Sequence, residues 1–529
     1  METIFYNCDI ITMENNLTAE AVYVSDGRIA YVGTLDEVCR LVGEDAQKVD
    51  LCKKTLMPAF IDAHSHFSAA ANSLLQVALD ETSDFEEIGD RIVSFIADSG
   101  VKKGDWIVAK GYDHNALKEK RHPKRDFLDK IAPDNPLLIQ HKSGHAGVFN
   151  SAALSDIGVT SDNGEFSNGE IEFSDGAPTG YMEETAFIKY VKMTPMPGAE
   201  ALFEAFVRVQ EKYASHGIAT VQEGMMIERM GELYDSLLQG GALKLDVVAY
   251  IAMDSLGLMK KFKSSVGEYD KHFKIGGLKI FLDGSPQART AWMLKPYAGG
   301  DATYCGYGTM SDEDLMEALE YAASHKIQIL AHCNGDAAAK QFISAVDRVS
   351  KTYPEITSQR PVIIHAQLIG TDMLSDVKRL GIMLSFFVAH VYHWGDIHIE
   401  NFTRQRASQI SPANSALQHG VAITFHQDTP VIEPDMLETV WCAVNRMTKG
   451  NELLGADERI SVIEALKAVT INAAFQYFEE DEKGSLRAGK RADLVILDKN
   501  PLKVPPEEIR DIKVIATVKD GEFIYRWQE

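Results

Sequence analysis

Apolar residues in the middle of the chain form short, near-continuous runs, most of which are separated by amphipathic segments. Runs of this kind are typical of parallel strands that helices cover on both faces. Eight of them follow in chain order: "LMPAFIDAH" (56–64), "GIATVQEG" (217–224), "KLDVVAYIA" (244–252), "LKIFLDG" (278–284), "IQILAHCNG" (327–335), "PVIIHAQ" (361–367), "IMLSFFVAH" (382–390) and "VAITFHQD" (421–428). The pattern predicts an α/β fold, a (β/α)₈ TIM-like barrel over residues 57–480, with a doubly wound open sheet as the alternative.

The segments between the strands carry helix signals. Residues 199–217 place apolar side chains on one face and stop at Gly217, a residue typical of helix C-termini. Residues 311–325 open with Ser311 and Asp314 in a capping-box arrangement. Both segments are therefore predicted helices.

The two ends of the chain resemble each other. "AVYVSDGRIAYVG" (21–33) and "VIATVKDGEFIYR" (514–526) alternate apolar and polar residues around an Asp-Gly pair, which indicates a β-hairpin. An apolar strand, "ADLVIL" (492–497), precedes the second hairpin. The ends are predicted to form one small β-sandwich domain from residues 1–56 and 481–529, into which the barrel is inserted.

Residues from about 105 to 195 interrupt the strand–helix alternation between barrel strands 1 and 2. This stretch is too long for an ordinary βα loop and contains the Gly-, Asp- and Asn-rich run "SDNGEFSNGEIEFSDGAPTG". It is predicted to be an inserted subdomain over the mouth of the barrel.

Composition narrows the possible partners. The chain has 529 residues and a formal net charge of −24, with 77 acidic against 53 basic residues. A surplus of acidic residues argues against binding to nucleic acid or to an anionic membrane. The N-terminus lacks a signal-peptide pattern, and six scattered cysteines form no disulfide framework. We therefore expect a cytoplasmic protein that acts on a small molecule, with a homodimer as the default assembly.

Polar side chains stand at the C-terminal ends of the predicted strands, where barrel enzymes place their active sites. They are His64 and His66 on strand 1, Lys279 on strand 4, His332 on strand 5, His365 on strand 6 and Asp428 on strand 8. Residues i and i+2 of a strand share a face, so His64 and His66 can bind one cation together. Imidazole and carboxylate suit a divalent metal, Zn²⁺ above all, although Fe²⁺, Mn²⁺ or Co²⁺ also fit.

A lysine among four histidines calls for its own explanation. Burial lowers a lysine pKa, and a neutral amine captures CO₂ as a carbamate that can bridge two metal ions. Each residue also has an ordinary reading: the histidines as hydrogen-bonded structural groups, Lys279 as a snorkelling side chain and Asp428 as a helix cap. The joint placement of all six favours one or two metal ions, with Lys279 N6-carboxylated.

The same residues, in the same order, resemble the amidohydrolase superfamily. "PAFIDAHSHF" is similar to its strand-1 motif, and "KGSLRAGKRADLVILDKNP" to its C-terminal signature. Within the superfamily the chain resembles the YtcJ-like (amidohydrolase 3) group, which includes N-substituted formamide deformylases. The segments that carry this resemblance are "HAGVFNSAAL", "APTGYMEETA", "KIFLDGS", "AHCNGDAA" and "IIHAQLI".

The resemblance implies a metal-dependent hydrolase of a C–N bond, in an amide or an N-substituted formamide. His64, His66 and Asp428 would bind one metal, and carboxylated Lys279 would bridge it to a second metal on His332 and His365. Asp428 would also act as general base and acid. A deaminase or lactonase of the same fold and a non-catalytic regulatory descendant are the alternatives; the lysine disfavours a deaminase, and the complete ligand set disfavours the descendant.

Substrate binding is assigned to residues of the insert and of the late loops. The candidates are His145, Glu184, Asp283, His390, Trp394 and His426. Three of them have alternatives: His145 as a hydrogen-bonded loop residue, Asp283 as an orienting or turn-capping group, and Trp394 as plain packing.

Overall fold

A computed structural model describes residues 2–42, 46–142, 146–159, 171–195, 197–299 and 301–527. The chain divides into two compact units, Met1–Phe67 with Gln210–Glu529, and Ser68–Val209. The second unit contains the whole stretch of about 105–195 that is predicted as an insert. The predicted domain limits at residues 56 and 480 remain predictions.

The centre of the first unit is a parallel sheet of eight strands in chain order. Its strands are Phe60–Ile61, Ile218–Met226, Asp246–Ala252, Phe273–Phe281, Gln328–Cys333, Val362–His365, Met383–Phe386 and Ile423–Phe425. Each corresponds to one of the eight predicted runs, which confirms the mixed α/β architecture. Beyond the last strand, the Asp428 backbone N–H donates to the His64 carbonyl (3.3 Å) and that of His66 to the Thr429 carbonyl (2.8 Å). The chain segments that follow the first and eighth strands therefore meet.

Helices of the first unit follow or connect the strands of the parallel sheet. They are Gly231–Gln239, Gly257–Lys261, Asp312–His325, Asp336–Val349, Leu374–Arg379, His390–Ala407, Ala413–Gln418, Met436–Asn445, Val462–Ala468 and Ile471–Gln476. The predicted cap is present: the Ser311 hydroxyl accepts from the Asp314 backbone N–H. None of the helices that the structure describes combines the length and apolar character needed to span a membrane.

A buried apolar cluster fills the space beneath the strand ends. Ile61, Val248, Leu330, Val362 and Met383 come from five strands of the parallel sheet and pack with residues of the helix Ile471–Gln476. Tyr477, next to that helix, donates its hydroxyl to the Asp62 carbonyl at 2.7 Å. This packing supports the loop that carries the two N-terminal histidines.

Both chain ends contribute to one mixed eight-stranded sheet. Its strands are Glu2–Ile11, Thr18–Ser25, Arg28–Gly33, Gln47–Asp50, Thr55–Pro58, Leu494–Leu497, Val514–Lys519 and Glu522–Arg526. Helix Leu35–Leu41 packs beside it, with Val38 buried. Pairing of Leu494–Leu497 with Thr55–Pro58 joins the two ends of the chain in this sheet.

The second unit has a six-stranded sheet of its own. Its strands are Val77–Ala78, Ile107–Tyr112, Leu137–His141, Ala146–Phe149, Ile171–Ser174 and Ala177–Glu183. Its helices are Phe85–Asp98, Arg125–Ile131, Ser151–Asp156 and Glu184–Val191. Helices Phe67–Ser73 and Ala199–Ser215 lie at the two ends of the unit. The second of these helices coincides with the predicted helix over 199–217.

Candidate metal centre

Three potential metal ligands converge where the first and eighth strands of the parallel sheet end. Asp428 Oδ1 lies 3.3 Å from His66 Nε2 and 3.5 Å from His64 Nε2. All three ligand atoms lie within 4.8 Å of one another. His64 is buried, whereas 28% of the His66 side chain is exposed, so the group can be reached from one side.

Asp428 is the strongest indication that a cation belongs here. Its Oδ1 is buried and has no hydrogen-bond partner among the described residues. A buried carboxylate oxygen without a partner is costly, and a cation between it and the two imidazole nitrogens would remove that cost. Burial by itself would raise the pKa of Asp428, but His66, His426 and Lys279 together outweigh burial and lower the pKa. The residues present therefore fit a divalent metal.

Gln222, on the second strand, sets the tautomer of His64. Its amide nitrogen donates to the Ala63 carbonyl (2.8 Å) and to the Tyr477 hydroxyl (2.9 Å), so its Oε1 faces His64 Nδ1 as an acceptor at 2.5 Å. His64 must then carry its proton on Nδ1, which leaves a lone pair on Nε2, the atom that lies 3.5 Å from Asp428 Oδ1 and 3.2 Å from Lys279 Nζ.

Removing this acceptor should weaken the metal centre. In Gln222→Ala the His64 ring loses the partner that fixes its orientation, and we expect metal affinity to fall about 10- to 100-fold. Competition with a chromogenic chelator measures the change. Gln239→Ala, on an exposed helix end, is the control and should leave affinity unchanged. Equal affinities in both variants would contradict the role given to Gln222.

Lys279 lies beside the same group on the fourth strand. Its Nζ is 3.2 Å from His64 Nε2, and the residue is 2% exposed. Burial lowers the pKa of Lys279 to about 7. Near neutral pH a large fraction of this amine is therefore uncharged, the form that can react with CO₂.

His332 ends the fifth strand and is held by Asp283. Asp283 Oδ1 accepts from His332 Nδ1 (3.1 Å) and from the Asn334 backbone N–H (3.0 Å). Its other oxygen accepts from the backbone N–H groups of Gly335 (2.7 Å) and Trp292 (3.1 Å). Both oxygens of this buried carboxylate are thus engaged, which agrees with the orienting alternative for Asp283.

His365, at the end of the sixth strand, continues the group through a chain of polar side chains. Its Nε2 lies 4.0 Å from Asp428 Oδ2, and its ring centroid lies 4.6 Å from that of His332. His365 Nδ1 faces His426 Nε2 at 3.1 Å, and His426 Nδ1 faces the Ser385 hydroxyl at 2.9 Å. Burial lowers the pKa of His426 to about 3, so this ring is neutral at physiological pH. All six predicted ligands therefore cluster at one end of the parallel sheet.

The other substrate candidates lie in different places. His390 and Trp394 belong to the helix His390–Ala407 and pack edge to face, with ring centroids 5.1 Å apart and an interplanar angle of 75°. Phe387, whose centroid is 4.2 Å from that of His390, completes an aromatic cluster next to His365. Glu184 is exposed at the start of helix Glu184–Val191 in the second unit. His145 lies outside the described residues.

Sequence reasoning missed Gln222, Ser385 and Asn334. Asn334 donates to the Gly284 carbonyl at 3.0 Å and lies 3.4 Å from His332 Nε2. Gln222 and Ser385 interrupt apolar strands and are fully buried. A buried polar residue in an apolar strand needs a partner, and that rule is the signal that would have pointed to both.

Comparison with known proteins gives the family of the chain. A family model described as "Amidohydrolase family" matches residues 47–525, so the chain belongs to the amidohydrolase family. An N-substituted formamide deformylase from Arthrobacter pascens is 28% identical over 98% of this chain and 97% of its own length. A protein of Bacillus subtilis strain 168 named "Putative amidohydrolase YtcJ" is 24% identical over 99% of each chain. A solved metal-dependent hydrolase from Pyrococcus horikoshii OT3 shares 27% identity with a TM-score of 0.79, over 96% of this chain and 99% of that chain. Family membership identifies a hydrolase that uses a divalent metal.

Proposed function

We propose that the protein hydrolyses a C–N bond of a small molecule, an amide or an N-substituted formamide, at the centre built from His64, His66 and Asp428. The observation that carries the proposal is the buried, unpartnered Oδ1 of Asp428 beside two imidazole nitrogens. The formamide deformylase relative, matched over nearly its whole length, supports the choice of bond. Histidine and carboxylate ligands make Zn²⁺ the metal we propose.

Each residue of the centre has its own role in the proposed hydrolysis. A divalent metal bound here lowers the pKa of a water molecule and polarises a carbonyl group. His64 and His66 would hold the ion from the segment that follows the first strand. Asp428 takes a proton from the attacking water and passes it to the leaving nitrogen, so that the C–N bond breaks and a carboxylate and an amine result. Asp283 and Gln222 fix the rings of His332 and His64, while His390, Trp394 and His426 line the substrate side.

We further propose that the parallel sheet closes as a complete (β/α)₈ barrel and that the terminal sheet belongs to a β-sandwich domain. The hydrogen bonds that join the segments after the first and eighth strands support closure. Closure would bring Lys279, His332 and His365 around one axis with the other ligands, as a site with one or two metals requires.

A substrate screen tests the reaction class. N-substituted formamides, simple amides, lactones and aminopurines are offered to protein purified without chelators. We expect amine release from the formamide or amide group, loss of activity with a chelator and recovery with Zn²⁺. Turnover of lactones or aminopurines alone, or activity that survives chelation, would overturn the proposal.

Lys279 decides the metal stoichiometry. Its neutral amine adds CO₂ to give a carbamate and releases a proton, which creates an anion able to bridge two ions. With bicarbonate present we expect two metal ions at this centre, so Lys279→Ala should hold one or two fewer ions per chain than wild type, as measured by elemental mass spectrometry. Lys340→Ala is the control, because it removes an exposed lysine from the helix Asp336–Val349. Equal metal content in wild type and Lys279→Ala would remove the bridge from the mechanism.

A further inference from the structure

A second cluster of potential metal ligands lies in the unit Ser68–Val209, and the proposed hydrolysis does not use it. Asp113 and His114 directly follow the strand Ile107–Tyr112, and His141 ends the neighbouring strand Leu137–His141. These two strands are parallel and place Tyr112 opposite His141. Because the carboxyl ends of parallel strands meet at one edge of a sheet, the three side chains project from the same edge.

The distances among the three ligand atoms match those of a metal site. His114 Nδ1 lies 3.2 Å from His141 Nε2, and Asp113 Oδ1 lies 3.6 Å from His141 Nε2 and 3.9 Å from His114 Nδ1. A tetrahedral zinc ion with ligands at about 2.0–2.1 Å separates its ligand atoms by about 3.3 Å. A contraction of a few tenths of an ångström along two edges would therefore seat an ion.

Surrounding side chains hold this cluster in place. The His122 ring stacks on the His114 ring with centroids 4.1 Å apart, and His122 Nδ1 lies 2.9 Å from the Tyr112 hydroxyl. The exposed fraction is 29% for the His114 side chain, 17% for Asp113 and 10% for His141. The site is thus built from partly buried groups on strand ends, yet an ion can reach it from solvent.

Lys142 would compete with a metal ion for the Asp113 carboxylate. It pairs with Asp113 Oδ2, whereas Asp113 Oδ1 faces the two imidazoles and also accepts from the Asn115 backbone N–H at 2.9 Å. A carboxylate has lone pairs for several partners, so the lysine and a metal can share Asp113 through different oxygens. The lysine charge nevertheless weakens cation binding.

We propose that Asp113, His114 and His141 form a second divalent-metal site of the Zn²⁺ class, separate from the hydrolytic centre. Two imidazoles and one carboxylate are ligands that zinc and its neighbours accept, and three protein ligands leave the fourth tetrahedral position to water. The site consists only of residues of the second unit, and the proposal does not depend on the proposed hydrolysis.

Metal stoichiometry on the full-length protein tests this site. Wild type and His141→Ala are equilibrated with the same free Zn²⁺ concentration, and bound zinc is measured by elemental mass spectrometry. We expect wild type to bind one ion more per chain than His141→Ala. His419→Ala, which removes an exposed histidine on another helix end, should bind as many ions as wild type. Equal zinc content in wild type and His141→Ala overturns the proposal.

Loss of zinc in His141→Ala could also come from misfolding, so a variant that is expected to bind zinc more tightly provides a second test. Lys142→Met removes the competing charge and keeps all three ligands, so we expect the additional ion to bind several-fold tighter in chelator competition. His114→Ala in the Lys142→Met background should abolish the gain. An affinity that Lys142→Met leaves unchanged would count against the site. Unfolding midpoints in the presence of a chelator confirm that the variants are folded.

Discussion

Asp428→Asn is expected to lower kcat by about 10³- to 10⁴-fold while the protein keeps most of its metal. An amide oxygen can still approach an ion, but it cannot take a proton from water or return one to a leaving nitrogen. The unpartnered Oδ1 of Asp428, beside two imidazole nitrogens, is the group whose basicity the substitution removes. Steady-state kinetics with the substrate found in the screen, together with metal analysis of the same preparation, measure both quantities.

Asp435→Asn is the matched control for this substitution. Asp435 lies seven residues further on, is half-buried and caps the helix Met436–Asn445 by accepting from the backbone N–H groups of Leu437 and Glu438. Asparagine caps helices as well as aspartate does, so turnover should stay close to that of wild type. A kcat in Asp428→Asn equal to that of wild type would exclude Asp428 as the proton carrier. Loss of turnover that excess Zn²⁺ fully restores would reduce Asp428 to a metal ligand.

The order of the strands and helices could be predicted from the sequence because buried strands are recognisable as apolar runs. The fourth strand shows where this reasoning fails. The predicted strand starts at residue 278, whereas the observed strand is Phe273–Phe281 and contains Gly276 and Gly277. Glycine is uncommon inside strands, so these two residues hid the start of the strand from the sequence pattern. Gly277 is nevertheless needed there, because a Cβ at this position would lie 1.9 Å from the Gln328 carbonyl oxygen. The glycine is required by a neighbouring strand that only the fold brings close.

In the candidate site, too, some residues could be predicted from the sequence and others could not. The ligands stand at strand ends, where histidine, lysine and aspartate are conspicuous in sequence. The residues that orient them depend on partners far away in the chain: Gln222 faces His64 across 158 positions, and Ser385 faces His426 across 41. A single sequence contains the polar residue but not its partner, so such pairs emerge only from the fold.

Asp246→Ala is expected to lower the free energy of unfolding by about 3–5 kcal/mol, because it removes the shared partner of several buried cations. Asp246 starts the third strand of the parallel sheet and is fully buried. Its Oδ2 lies 2.5 Å from Lys483 Nζ and 3.0 Å from Lys519 Nζ, and its Oδ1 lies 2.8 Å from His272 Nδ1. Lys519 ends a strand of the terminal sheet, so the carboxylate joins that sheet to the parallel sheet.

The magnitude follows from what the substitution leaves behind. Lys483 and Lys519 remain buried: Lys483 keeps Glu479 at 2.9 Å, and Lys519 keeps Asp493 at 3.0 Å and the partly exposed Asp520 at 3.2 Å. The two lysines lose the one fully buried carboxylate that they share, and a buried charge with fewer partners destabilises the folded state. Asp520→Ala is the control: Asp520 also contacts Lys519 at 3.2 Å, but 34% of its side chain is exposed, so its loss should cost less than about 1 kcal/mol. Urea unfolding of both variants compares the two losses.

The pH dependence separates this electrostatic account from simple loss of packing. Burial by itself would raise the pKa of Asp246, but Lys483 and Lys519 outweigh it and hold the pKa well below its ordinary value. A carboxyl group with a lowered folded pKa stabilises the protein fully above its unfolded pKa, near 3.9, and loses that contribution as the pH falls toward the folded pKa. The stability gap between wild type and Asp246→Ala should therefore be constant from pH 5 to 8 and narrow by about 1.4 kcal/mol per pH unit below 4. A gap that stays the same at pH 3 would mean that the variant is destabilised by lost packing, since packing does not depend on protonation.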